Sequence, residues 1–223
     1  MLRGKGYHST GHGVYVRRTR TVTTAMSTRE PDARTISREA RKASTRQRLI
    51  DAALELCERD GYAATSVEQI TAHAGLGRAT FYLHFARKGE LARALLRDIE
   101  APSRRVYDAL AAVDRSDRVA FEHWLEFALT FWDEHRPAIK LIDEALAVEQ
   151  DLDATMYATL EHTVAALMEA IGDTTALGHA RSALLVVGLE RAAYFAKIRG
   201  WDVDHELLRT ALADIWLSPA AAG

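Results

Sequence analysis

Residues 66–91 read SVEQITAHAGLGRATFYLHFARKGEL, and this stretch decides how the rest of the chain is understood. Ser66 and Gln69 have the spacing of a capping box, which predicts a helix from Val67 to about Ala74 that buries Val67, Ile70 and Ala74. Gly75 permits the positive φ of a tight turn, and Leu76 can plug the angle between two helices. After Gly77 a second short helix is predicted over Arg78 to Phe85. Phe81 and Phe85, four apart, can face a core, which leaves Arg78, Thr80, Tyr82 and His84 for other faces.

That division has a chemical use. A helix fits the major groove, where an arginine makes paired hydrogen bonds to guanine O6 and N7 and Thr, Tyr and His can anchor phosphates. Lys88, at the start of the next predicted helix, adds a cation that can reach the backbone of a nucleic acid. The competing reading of the same residues is a solvated polar face on an ordinary helical hairpin.

Upstream, a helix is predicted over Ser44 to Asp60, with Leu49, Ile50, Ala53, Leu54 and Cys57 on one buried face and Gly61 as its stop. Cys57 reads as a small core residue, since no cation is placed to lower its pKa. Residues 1–43 are rich in Gly, Ser, Thr and Arg without a helical or strand period, so a basic, disordered arm is expected. His8 and His12 have helical metal spacing but no helix signal between them, and Met26 is a candidate true start. Net charge is very uneven. The first 48 residues carry 12 Lys+Arg against 3 Asp+Glu, and the remainder 17 against 28, so a +9 end precedes a −11 body. A basic end beside the quoted stretch would attract phosphates while the acidic body orients the molecule.

From the first helix through Leu91, the chain resembles the N-terminal domain of the tetracycline-repressor (TetR) family. The resemblance is carried by Thr65-Ser66-Val67, Ile70, Ala74-Gly75-Leu76, Thr80-Phe81-Tyr82, His84-Phe85, Lys88 and Leu91, over about 45 residues. It implies an all-α, dimeric repressor of about nine helices, with the third helix in the groove and a separate C-terminal ligand domain. It further implies base reading by Arg78 and phosphate or sugar contacts from Thr80, Tyr82, His84 and Lys88. Gly77 and Ala79 depart from the family pattern, where an N-cap such as Ser and a Gly or Pro are common, and they leave the operator sequence open. His84 can equally pack its ring beneath the helix. The expected organisation is an arm over 1–43, a helix-turn-helix domain over 44–91 and a ligand-binding and dimerisation domain over 92–223.

The body reads as helical throughout. Helix four is predicted from Lys88 to Ile99, with Pro102 forcing a bend or break before a segment from Arg104 to Val113. From Asp117 to His135 apolar side chains lie most of the way round: Phe121, Trp124, Leu125, Ala128 and Trp132 form a stripe, and Phe127, Leu129 and Phe131 lie elsewhere. Such a helix belongs in the centre of a bundle or against a ligand chamber. Further helices are predicted over Ala138 to Glu149, Asp151 to Ile171, Thr175 to Arg199 and Asp204 to Leu217. The pocket residues expected from this pattern are Trp124, Phe127, Phe131, Met156, Tyr157 and Phe195. In the TetR family the last two helices form the dimer's four-helix bundle, and Glu190-Arg191, Phe195 and Ile215-Trp216 are faintly similar to its ethionamide-regulator branch.

Other classes fit the residues less well. Asp133-Glu134 and Asp143-Glu144 are adjacent, so each pair diverges on a helix, and no nucleophile motif or phosphate loop is present. No cofactor or metal is expected, because a single cysteine and the histidine spacing provide no zinc motif. The longest apolar run in the C-terminal half, Ser182 to Leu189, is far short of a membrane span, so a cytoplasmic protein is expected. The expected partners are a near-palindromic double-stranded DNA operator, an unidentified, largely apolar effector and a second copy of the chain. A helical protein-binding adaptor is the alternative of a different class.

Overall fold

The computed structural model describes residues 33–218, with side chains from residue 37. The expectations for the arm upstream, and those for His8, His12 and Met26, lie outside the described residues. Nine α-helices and one single-turn 3-10 helix follow one another, with no strand among the described residues. They are α1 (Ala33–Asp60), α2 (Val67–His73), α3 (Arg78–Tyr82), α4 (Lys88–Leu110), α5 (Arg118–Glu134), α6 (Arg136–Leu146), α7 (Asp153–Ile171), α8 (Ala176–Lys197) and α9 (His205–Trp216). From Ala40 onward they make one compact unit; the start of α1 belongs to a separate N-terminal one.

Helix starts follow local capping chemistry. Ser66, Asp117, Thr175 and Asp204 each accept a hydrogen bond from a backbone N–H of the first turn they precede, which satisfies donors a helix leaves open. Gly172 ends α7 in the left-handed conformation, with φ of 82°. Pro137 sits in the first turn of α6, where its missing N–H costs nothing.

Two expectations are corrected. α1 begins at Ala33, ahead of the expected Ser44. The bend or break expected at Pro102 does not take the form of a break: α4 runs unbroken from Lys88, past the expected end at Ile99, to Leu110 with the proline inside it. A mid-helix proline removes one backbone hydrogen bond and crowds the preceding turn, at a cost of about 3 kcal/mol. Apolar anchoring on both sides offsets that cost. Leu91, Leu95 and Leu96 enter one core with Leu49, Ile50, Leu56, Ile70, Phe81 and Phe85, joined by Leu141, Ile142 and Ala145 of α6. Val106, Tyr107 and Leu110 enter a second core, with Phe121, Trp124 and Leu125 of α5, Val164 and Leu167 of α7, Val186 and Leu189 of α8 and Trp216 of α9. Each fully buried Leu or Phe contributes roughly 1.5–3 kcal/mol. Pro102 lies between the two anchored segments.

Candidate nucleic-acid interface and effector cavity

The quoted stretch folds as a capped helix, a turn and a very short second helix. Ser66 N–H donates to Gln69 Oε1 at 2.7 Å, and Gln69 N–H donates to Ser66 Oγ at 3.2 Å, so both arms of the capping box are present. Gly75 adopts φ of 63°, and Leu76 N–H donates to Thr71 O at 2.8 Å across the turn. Arg48 of α1 donates to Ala74 O, closing the end of α2. Ile70 and Phe81 are fully buried, while Val67, Ala74 and Leu76 pack half-buried against the same core. α3 ends at Tyr82 instead of Phe85, although Phe85 is buried as expected.

This packing leaves Arg78, Ala79 and Tyr82 exposed on α3, with Thr80 and His84 half-buried beside them. Arg78 is held in place before any ligand arrives. It forms an ion pair with Glu68, its guanidinium donates to Tyr82 Oη at 3.4 Å, and it lies 5.7 Å from the Tyr82 ring centre. Leu83, 77% exposed, shares this outward face and was not singled out in the sequence. Its position four after Ala79 was the available signal, and a thymine methyl is the partner such a side chain suits. Burial, with Lys42 and Arg46 nearby, lowers the His84 pKa below its ordinary value, so its ring can donate a hydrogen bond but is a poor cation near neutral pH.

Lys88 is turned inwards. Its ammonium donates to Tyr62 O at 2.7 Å and Thr65 O at 2.8 Å and lies 4.0 Å from the Tyr62 ring centre. Both carbonyls belong to the loop between α1 and α2, which lies beside the first turn of α4. Tyr62 in turn donates from its hydroxyl to Glu149 Oε1 at 2.7 Å and from its N–H to Glu144 Oε2 at 2.6 Å. Arg87 pairs with Glu149 and Asp151, and Arg93 with Glu90 and Asp151, fastening the start of α4 to the loop between α6 and α7. Cys57 is buried, and desolvation raises its thiol pKa, as befits a core residue.

In the body, a cavity of about 280 Å³ lies among α4, α5, α6, α7 and α8. Phe131 and Met156 line it, as the sequence suggested; Trp124, Phe127, Tyr157 and Phe195 do not. Trp124 is a core residue, its indole N–H donating to Val106 O at 2.7 Å and its ring 5.2 Å from those of Phe121 and Trp216. Phe127, Tyr157 and Phe195 are exposed at 49%, 67% and 44%. Tyr157 and Phe195 each miss the cavity by one residue, because adjacent helical positions point about 100° apart and Met156 and Tyr194 take the inward places. Phe127 is two residues from both Leu125 and Leu129, on the opposite side of α5 from those buried side chains. The polar lining, Asp143, Glu190, Arg191 and Tyr194, was not foreseen. Glu190-Arg191 stood out only as a family resemblance. Among the described residues no group of three or more His, Cys, Asp or Glu is placed to hold a metal.

Comparison with known proteins agrees with this architecture. The profile of the bacterial regulatory proteins of the tetR family matches residues 49–95. The uncharacterized HTH-type transcriptional regulator TtgW, from a strain of Pseudomonas putida, is 33% identical over 122 residues, covering 54% of this chain and 84% of that protein. The HTH-type transcriptional regulator SrpR of Pseudomonas putida is 32% identical over 115 residues, 51% of this chain but only 50% of that relative. The crystal structure of the multidrug binding protein EbrR complexed with ethidium superposes with a TM-score of 0.56 at 26% identity, covering 77% of this chain and 97% of that one. The chain belongs to the TetR family of bacterial regulatory proteins.

Proposed function

We propose that the chain is a DNA-binding transcriptional repressor, working as a homodimer in the cytoplasm and released from a near-palindromic operator by a small, largely apolar effector. The outward face of α3 carries the proposal: Arg78, Ala79, Tyr82 and Leu83 stand exposed on a helix fixed from beneath by Phe81 and Phe85. In this reading residues 44–91 read DNA, 92–223 hold the effector and the partner subunit, and 1–43 add electrostatic attraction. Arg78 reads bases, Thr80 and Tyr82 grip the phosphate backbone, and His84 contributes one neutral hydrogen bond. Lys88 instead braces the loop on which the reading head sits.

Dimerisation would use α8 and α9, whose Leu177, Leu184, Leu207 and Ile215 leave large apolar side chains exposed. Two copies would set their third helices one helical turn apart, about 34–36 Å, in successive major grooves. The cavity supports an effector role, since Ile99 and Ser103 of α4 line it on either side of Pro102. A ligand there would press on α4 where its backbone bonding is weakest and shift the population away from the DNA-fitting spacing. EbrR, with ethidium bound, is a precedent for a small molecule held by this fold. No helix among the described residues is long and apolar enough to cross a membrane.

The test is selection of a binding site from random duplexes, followed by anisotropy titration on the selected site and on scrambled DNA. A selected, near-palindromic sequence whose preference over scrambled DNA is lost in Arg78→Ala supports the reading. Failure to enrich any sequence, or equal loss on both DNAs in the variant, overturns it.

A further inference from the structure

The cavity walls contain one side chain that an apolar ligand would not use. Glu190, half-buried on α8, lines the chamber with Phe131, Trp132 and Tyr194 and has no hydrogen bond or ion pair to another described residue. A carboxylate withdrawn from water is costly unless paired. The charged and titratable groups around it do not pair it. Arg191, the next residue on the same helix, has its guanidinium 5.1 Å from the Tyr194 ring centre. Asp143, facing from α6, accepts the Tyr194 hydroxyl. Tyr107 of α4 is buried nearby, whereas α5 and α7 bring Phe131, Trp132, Met156, Leu160 and two threonines to the wall.

We propose that the cavity takes a lipophilic organic monocation, its charge set against the Glu190 carboxylate and its flat body against Phe131 and Trp132. The proposal rests on the reading of this cavity as the effector site and names the chemistry of its ligand. Two acids and one base line the chamber, so an ionised Glu190 leaves one net negative charge for a cation to neutralise. Aromatic faces attract the same charge through their quadrupoles. An anion would meet repulsion, and a neutral ligand would leave the carboxyl unpaired.

Charge balance gives the site a second property. Burial raises the Glu190 pKa to about 7, so near neutrality the empty chamber holds a proton on that carboxyl for much of the time. An entering cation favours the ionised form and displaces the proton to solvent. Cation affinity therefore falls as pH drops below about 7, by up to about tenfold per unit, and levels off above it.

A matched pair of fluorescent probes tests this in the full chain without DNA: thioflavin T, a cation, and 2-[4-(dimethylamino)phenyl]-6-methylbenzothiazole, its neutral counterpart. Titrations run at about pH 5.5, 7 and 8.5. The parent should bind the cation at least about tenfold more tightly than the neutral probe at the highest pH and lose that preference at the lowest. Glu190→Gln should abolish both the preference and its pH dependence while still binding the neutral probe, and Glu190→Asp should keep part of both. Circular dichroism confirms that the variants are folded, and the parent's pH series stands even where they are not. Cation preference surviving in Glu190→Gln, or a flat pH profile in the parent, overturns the proposal. Binding of the neutral probe alone overturns the ligand class and leaves the effector cavity standing; binding of neither probe removes both.

Discussion

Arg78 and Lys88 are two cations of one reading head put to different uses. Arg78 is exposed, held among the described residues by Glu68 and Tyr82, so its forked donors can be transferred to a base edge. Arg78→Ala should cost about 1–3 kcal/mol on the preferred sequence and relax one base position, with little change in melting temperature. Lys88 spends its donors on Tyr62 O and Thr65 O, and hydrogen bonds to a charged group contribute about 1.5–3 kcal/mol. Lys88→Met should therefore lower stability by about that amount in urea titrations while leaving the ratio of specific to random DNA affinity unchanged. Glu190 gives a third prediction, in the protein without ligand. Its folded pKa lies above its unfolded value, so the folded state holds the proton more tightly and stability falls as pH rises from about 4.5 to 7. Glu190→Gln should remove that decline and gain roughly 2–3 kcal/mol above pH 7, seen as a flatter dependence of melting temperature on pH.

At the scale of elements, α4 is the part that both cores hold and that neither fully stabilises. Pro102 leaves the Asp98 carbonyl without its helical N–H partner, between Leu96 in one core and Val106 in the other. Pro102→Ala should raise the melting temperature by several degrees and reduce the change in operator affinity that a ligand produces, because the stiffer helix no longer yields at that point. Of the bend or break expected at Pro102, the break is absent because propensity is local and packing on both sides outweighs it. What the sequence did make legible was equally local. Ser66, Asp117, Thr175 and Asp204 announce their helices because a cap is a contact between near neighbours. The cavity was less legible because α5, α7 and α8 carry apolar residues around most of their circumference, so periodicity gives the helices but not their rotation. Tyr157 and Phe195 were each one residue out of phase for this reason, and Lys88 looked free because its carbonyl partners lie in a loop whose path no period reveals.

At the scale of the molecule, the exposed apolar side chains of α8 and α9 ask for a partner. Leu184, 76% exposed at the middle of α8, is the sharpest probe. Leu184→Glu should convert a dimer to a monomer in light scattering, abolish tight operator binding and leave helix content unchanged, since the side chain touches no core in a single copy. The tryptophans have a different use. All four, Trp124, Trp132, Trp201 and Trp216, lie beyond the reading head, and only Trp132 lines the cavity. The chain thus has a built-in optical sensor with a known address. Effector binding should change Trp132 emission directly, whereas operator DNA, touching a region with no indole, can alter it only if the disturbance travels along α4. The size of the fluorescence change on adding operator is therefore a label-free gauge of communication between the two ends of the protein.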